Sequence, residues 1–582
     1  MTVSRGAVAE LPSGAPAPPS ARRATPPSWV DVAGWLVWGL AGLGLAGLLG
    51  ALVAAALGSP TAVQNLLAIV ATGSLREALL RTYAVALGSS LLVLVAGTLF
   101  IFSWRLDPRE RLVPLLRAPL LLHGFPAGLA FLVVFGNAGW LNRSLQLTFH
   151  LGGPPLPLTF TVQGLVLFFV IFGLPYLLAY TLFAIRPDIA ELEDAARLLG
   201  CGPAEAFRRV TLPLLLGPLR MATALAFVLA AGSLSVPMLI GGGRASLLPA
   251  EVYGLIIGAG DVPRAAALAL GFVVALGPPL VVLDRLTVAL VTWAAAVEPQ
   301  PRPAGHAARG APRRRRLSWW SHGYQVVWMA VLLVLVLAPL YASFVRTWGA
   351  GLIATSWTSQ WYLQIAPEFW AAVGLSLVVS LACIVVSLIG ALPLALAWRF
   401  GRLPGKDLLR SLVLIPVAVP GFLWGLSLLV LVQDLAPGLA RTPVPLVLGE
   451  ALLALPFMLR ILMSALDDLD TRALEVAAGL GAGPLARVWR VLLPLLLPAI
   501  GMGSVLVFVR SFGESNLALV LAPVRYPTAA LWLLQAADTA GIGLASAMDT
   551  VVVAVPLLLL IAGEAALRRG LTWSQTRAAL PV

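Results

Sequence analysis

The chain is poor in charge and almost devoid of lysine. Only 11% of its 582 residues are charged, against 59% that are hydrophobic; a soluble domain carries about 25% charged residues. No stretch is polar enough to be a soluble domain, although the length alone would allow several. The composition implies an all-α polytopic membrane protein. Lys406 is the single lysine, so the net charge of +13 rests on arginine. The arginines gather at the ends of apolar runs, where they set topology rather than grip nucleic acid, and no nucleic-acid partner is expected. Cysteine is as scarce: Cys201 and Cys383 support neither a disulfide framework nor a zinc spacing. The four histidines (His123, His150, His306, His322) form no ligand cluster, so no metal site is expected.

What the chain does have is long apolar runs. Residues 1–32, rich in Pro, Ala and Ser, read as a disordered cytosolic tail. Runs follow at about 33–57, 83–104, 113–136, 160–184, 214–241 and 265–293, each near or above the roughly 20 residues that cross a bilayer as a helix. The first is longer than a signal-peptide core and reads as a retained span. Residues 294–324 form a basic cytosolic linker that ends in Trp319-Trp320. Six more runs lie at about 325–345, 370–398, 411–432, 444–466, 495–521 and 545–567, and residues 568–582 are a second cytosolic tail. The predicted organisation is a six-span half (33–293), a linker, and a second six-span half (325–567). Arg105, Arg109 and Arg111, then Arg399, Arg402, Lys406 and Arg410, and Arg313 to Arg316 all fall on the side of the N-terminus. The positive-inside rule therefore places both termini in the cytosol.

Asp194 to Pro213, DAARLLGCGPAEAFRRVTLP, returns as Glu475 to Pro494, EVAAGLGAGPLARVWRVLLP, at a constant offset of 281 residues. The helix formers Asp194, Ala195 and Ala196 precede Gly200, which permits left-handed backbone. Pro203 restricts Gly202 and suits the first position of a new short helix reaching Val210. Pro213 is then expected to start the next span. The second copy repeats this with Glu475, Ala477, Gly481, Gly483, Pro484, Val491 and Pro494. Each copy predicts a helix-break-helix elbow, with its acid near the helix start, lying along the cytosolic face.

These stretches resemble the EAA loop of permease subunits of binding-protein-dependent ABC importers. Asp194-Ala195-Ala196, Gly200, Val210 and Leu212-Pro213 match in the first half; Glu475-Val476-Ala477, Gly481, Val491 and Leu493-Pro494 match in the second. The departures are Asp194 for glutamate, Val476 for alanine, and valine for isoleucine twice. The resemblance implies a type I importer permease fold, with both halves as permease domains, in a bacterial inner membrane. It implies that each elbow docks an ATPase subunit, two in all, and that a periplasmic binding protein delivers the solute. The one Gly-Lys pair, Gly405-Lys406, has Phe400 and Asp407 where a phosphate loop needs glycine and a hydroxyl. The chain is thus not expected to be an enzyme or to bind a cofactor, and its partners would use ATP and magnesium. Two fused domains are similar to the ferric iron and thiamine branches. Gly232 to Gly243 resembles a stretch of ferric iron permeases, and Phe135 to Asn142 an extracytosolic turn of both branches. Ferric iron is the first expectation; thiamine, polyamines, phosphonates and sulfate-like anions stand behind it.

Arg510 and Glu514 are four apart, which predicts one shared helix face, with Ser233 opposite Glu514 in the first half. All three are candidate gate or pathway residues, but a structural ion pair is the preferred reading of Arg510 and Glu514, because the first half has Leu229 and Ser233 at those positions. Asp284, Glu450 and Asp549 fall near predicted span ends and are expected to be solvated. An ion-coupled secondary transporter would need ionisable residues deep in several spans, and a membrane enzyme would need clustered acids or histidines.

Overall fold

An apolar stretch in lipid satisfies its own backbone only as a helix or in a closed barrel, and here the runs become helices. The computed structural model describes residues 28–58, 60–106, 122, 124–182, 187–296, 310–348, 353–401, 419–522, 527–539 and 541–578. The first half comprises α1 (Ser28–Leu57), α2 (Ala62–Ala71), α3 (Gly73–Leu106), α4 (Phe125–Phe135), α5 (Trp140–Phe149), α6 (Val162–Leu182), α7 (Pro187–Leu198), α8 (Pro203–Ala206), α9 (Leu216–Ala231), α10 (Leu248–Ile257) and α11 (Val262–Ala296). The second half opens with α12 (Gly310–Ala342) and a two-stranded antiparallel hairpin, β1 (Val345–Trp348) and β2 (Ala354–Trp357), in which Val345 faces Trp357. It continues with α13 (Pro367–Phe400), α14 (Gly421–Leu435), α15 (Val444–Asp467), α16 (Arg472–Gly479), α17 (Pro484–Arg487), α18 (Leu493–Phe512), α19 (Asn516–Leu521), α20 (Ala529–Thr539) and α21 (Gly541–Ala578).

The halves repeat one another in detail. α3 and α13 are each 34 residues long. Thr82 Oγ1 on α3 accepts the Leu248 N–H at 3.0 Å, and Ser376 Oγ on α13 accepts the Ala529 N–H at 3.0 Å. Leu248 and Ala529 stand 281 residues apart, and so do Gly260 and Gly541, whose φ values are +65° and +79°. The repeat thus extends well beyond the elbow into α10–α11 and α20–α21.

Each opening helix reaches across to the other half. α1 packs on α11 of its own half and on α13 and α14 of the second; α12 packs on α21 of its own half and on α3 and α4 of the first. One apolar cluster spans the division, joining Phe125, Phe227 and Phe272 to Phe369, Phe422 and Phe512. The halves are therefore joined by core packing as well as by the chain between them.

Among the described residues, eight helices are long and apolar enough to span a membrane, or up to ten if two bent pairs count as one span each. Parts of the expected runs 113–136 and 411–432 lie outside the described residues. So do 1–27 of the N-terminal tail and Arg402, Lys406 and Arg410. Three expectations need correction. The runs 214–241 and 495–521 are not single helices: α9 stops at Gly232 and α18 at Gly513, with nearly the same backbone angles (φ −94° and ψ 2°; φ −95° and ψ 2°). Those angles are open to any residue; what requires glycine at 232 is space, because a Cβ there would meet Pro420 of the other half. The linker 294–324 shrinks, because α11 runs to Ala296 and α12 starts at Gly310; residues 297–309 lie outside the described residues. The run 33–57 begins at Ser28 and bends by 88° into α2.

Candidate functional site

Both elbows close their first helix in the same way. The Cys201 N–H donates to Ala196 O at 3.1 Å, with Gly200 at φ +94° between them. The Ala482 N–H donates to Ala477 O at 3.0 Å, with Gly481 at φ +81°. This is the six-to-one helix stop that glycine permits. Gly202 and Gly483 are extended, at ψ 165° and 162°, as a residue before proline must be. Pro203 and Pro484 then open α8 and α17, and each continues into a π-helical turn, Phe207–Thr211 and Val488–Leu492, that holds Val210 and Val491.

Two local expectations fail in the first copy. Asp194 lies late in α7, which begins at Pro187, so no helix-start charge effect acts there; Glu475, by contrast, sits in the first turn of α16. Pro213 does not start a span. It lies in a short turn, Leu212–Leu214, after which the chain bends by 71° into α9. In the second copy Pro494 does sit in the first turn of α18, and Pro484–Phe512 runs as one apolar segment of 29 residues.

The sequence reading missed what the elbows present and what fastens them. Leu198, Leu199 and Leu480 are 90%, 87% and 83% exposed, with Val476, Leu485 and Trp489 also exposed. Exposed apolar side chains gathered at a defined turn mark a contact surface. The fastening in the first half is Glu193, which is buried. Arg105, at the end of α3, donates to it through Nη2 at 2.8 Å and Nε at 3.2 Å, and the Thr211 hydroxyl donates to the same carboxylate. The signal was available: Glu193 lies directly beside Asp194, and Arg105 ends a span.

A second polar region lies where the two halves meet. After α9 the loop Gly232–Val236 faces its counterpart Gly513–Ser515, beside the starts of α4 and α14. Asn516 Oδ1 crosses to the first half and accepts the N–H groups of Leu234 and Ser235 at 2.9 and 3.0 Å. A Cβ on Gly232 would collide with Pro420, and one on Gly124 would collide with Ser515 Oγ. The candidates Ser233 and Glu514 both belong to this seam. Glu514 is not on one helix with Arg510, because α18 ends at Phe512; its Oε1 instead accepts the Asn516 N–H at 2.8 Å and caps α19. Its other oxygen stays 4.0 Å from Arg510, whose guanidinium lies over the Phe457 ring at 5.5 Å.

The expectation that Asp284, Glu450 and Asp549 are solvated is wrong for two of them. Glu450 and Asp549 are buried, because the helices carrying them are covered at those positions by other helices rather than ending in water. Glu450 accepts a hydrogen bond from Ser511. Neither Asp549 oxygen has a partner among the described residues. Asp284 is 39% exposed and paired with Arg220 on α9 at 2.6 and 2.8 Å.

Residues 390–571 match the family described as binding-protein-dependent transport system inner membrane component. The molybdenum transport system permease protein ModB of Mycobacterium tuberculosis is 32% identical over 203 residues, 33% of this chain and 74% of that protein. The chain belongs to that family. The permease is also similar to the probable sulfate transport system permease protein cysT of Nephroselmis olivacea, 29% identical over 43% of this chain and 89% of that protein. The putrescine transport system permease protein PotI of Escherichia coli K12 is 27% identical over 33% of the permease and 73% of its own length. The all-α polytopic fold and membership among the binding-protein-dependent permeases therefore stand as expected.

Proposed function

We propose that this chain is a fused, two-domain permease of an ATP-driven importer, with its termini in the cytosol and both elbows docking ATPase subunits. What supports the docking is the pair of elbows with matching glycine stops at Gly200 and Gly481, each flanked by exposed leucines. Asp194, Ala195, Ala196, Gly202, Pro203, Val210 and Pro213 would line the first contact. Glu475, Ala477, Gly483, Pro484, Val491 and Pro494 would line the second. Two ATPase subunits, using ATP and magnesium, would push on the elbows, and a periplasmic binding protein would deliver the solute to the outer mouth. The halves then rock about the seam between inward-facing and outward-facing states, with Ser233, Arg510 and Glu514 beside the path.

Replacing Gly200 and Gly481 together with leucine tests this reading. A left-handed backbone is strained for leucine, and neither glycine has a neighbour within 4 Å to clash with, so the elbow alone is disturbed. The expected result is ATP hydrolysis without solute uptake, or loss of ATPase association in pull-down. Normal coupled uptake in the double variant would overturn the assignment.

For the solute, the best-supported reading is a tetrahedral oxyanion. The molybdenum and sulfate systems named above support it. A polyamine is the second reading, on the resemblance to the putrescine permease and the acids Glu450 and Glu514. Ferric iron rests on the fused organisation and on the Gly232–Gly243 and Phe135–Asn142 stretches, and gains nothing from these relatives. Uptake of labelled sulfate, molybdate, putrescine and ferric iron by cells carrying the whole system would decide. Uptake of putrescine or iron with no oxyanion uptake would overturn the oxyanion reading.

A further inference from the structure

The seam holds polar groups that the fold does not use. Ser235 and Ser515 are buried, at 0% and 1% exposure, and the hydroxyl of each lacks a hydrogen-bond partner among the described residues. Both stand beside Gly124: a Cβ there would collide with Ser515 Oγ and lie 3.4 Å from Ser235 Oγ. Gly124 is the N-cap of α4, an 11-residue helix that no side chain caps. A helix N-terminus carries partial positive charge and orphan N–H donors, and it favours anions. Two hydroxyls, one from each half, thus stand beside the same helix start, where Phe125 and Ala127 offer amides and Pro126 offers none.

Most of the nearby acceptors are engaged, and the second Glu514 oxygen lies 4.0 Å from Arg510 Nη2. One Glu514 oxygen caps α19, Glu450 takes the Ser511 hydroxyl, and Asn516 Oδ1 holds the Leu234 and Ser235 amides. Among the described residues, the two serine hydroxyls, each able to donate, and the buried Nη1 of Arg510 in the last turn of α18 have no hydrogen-bond partner. The asymmetry of the repeat explains the surplus. Ser233 and Ser235 stand where the second half has Glu514 and Asn516, and they are too short to reproduce the cap and the crossing bond. The groups pack tightly with the halves together, so an ion could enter only when the halves part.

We propose that Ser235, Ser515 and the N-terminus of α4 form a transit site for a tetrahedral oxyanion, closed in this conformation and opened as the halves separate. This rests on the oxyanion reading of the solute. The test uses the whole importer, with its ATPase subunits and binding protein, in cells lacking their own sulfate and molybdate uptake. Ser235→Ala/Ser515→Ala, which removes two unbonded hydroxyls and adds no bulk, should fold and assemble as the parent does. Its sulfate or molybdate uptake per ATP hydrolysed should fall about tenfold, the scale of losing hydrogen bonds to a charged group, while binding-protein-stimulated ATP hydrolysis persists. Each single variant should lose less. Oxyanion uptake unchanged in the double variant would overturn the site while leaving the importer reading intact. An equal fall in uptake and ATP hydrolysis would also overturn it, by showing a purely structural role. A parent importer that carries putrescine and no oxyanion would overturn the site and the solute reading together.

Discussion

At the first elbow the buried Glu193 carboxylate ties three elements together: the end of α3 through Arg105, its own helix α7, and the π-helical turn through Thr211. At the second elbow the equivalent positions are Leu474 and Leu492, which pack with Val488 in an apolar cluster. Arg399, the counterpart of Arg105 at the end of α13, pairs with no carboxylate among the described residues and donates to Leu466 O at 3.1 Å. The backbone is the same and the fastening is different. Local sequence rules dictate the turn, and tertiary partners decide how it is held. A charged fastening is directional and specific, whereas an apolar one permits small sliding. The first elbow also bends by 71° into its span while the second runs straight on. The two elbows are therefore mechanically unequal.

Removing one partner of the charged fastening should have the largest effect. Glu193→Ala leaves Arg105 and Thr211 without their acceptor and should destabilise the purified permease by about 3 kcal/mol, read as a lowered melting temperature in detergent. Leu474→Ala should cost less, because Leu474 is only partly buried. Equal losses would mean that the two elbows are fastened alike after all. Next comes the seam: Asn516→Ala strands two amides that meet no other acceptor among the described residues, which should cost about 2 kcal/mol and raise ATP hydrolysis in the absence of binding protein. An unchanged basal rate would show that the crossing bond does not hold the halves together.

Smaller effects sharpen the comparison. Gly200→Ala and Gly481→Ala should each cost about 1 kcal/mol through left-handed strain, by the same amount in both elbows, since neither Cβ meets a neighbour. A large difference in their thermal shifts would break the backbone equivalence. Thr82→Ala and Ser376→Ala remove matching side chain-to-backbone bonds. They should cost about 1 kcal/mol each, and unequal shifts would show that the repeat is less regular than its geometry.

Much of the elbow was legible in the sequence because its chemistry is local. A glycine stop, a proline that forces the preceding residue to be extended, and a proline at a helix start act over four residues and need no partner. The seam was less legible. Arg510 and Glu514 have the spacing of a shared helix face, but Gly513 ends the helix between them, and whether a glycine ends a helix depends on what surrounds it. Glu450 and Asp549 read as span-end acids because hydropathy reports composition along the chain. It does not report which segments cover one another.

By itself the sequence determined the class of molecule, the repeat at offset 281 and the backbone of both elbows. Low charge excludes a soluble fold, and lipid requires helices. Only the tertiary structure decided that each opening helix clasps the opposite half, that Glu193 fastens one elbow and leucine the other, and that Ser235 and Ser515 meet at Gly124. Those are contacts between segments far apart along the chain. They are set by packing, which no local rule encodes.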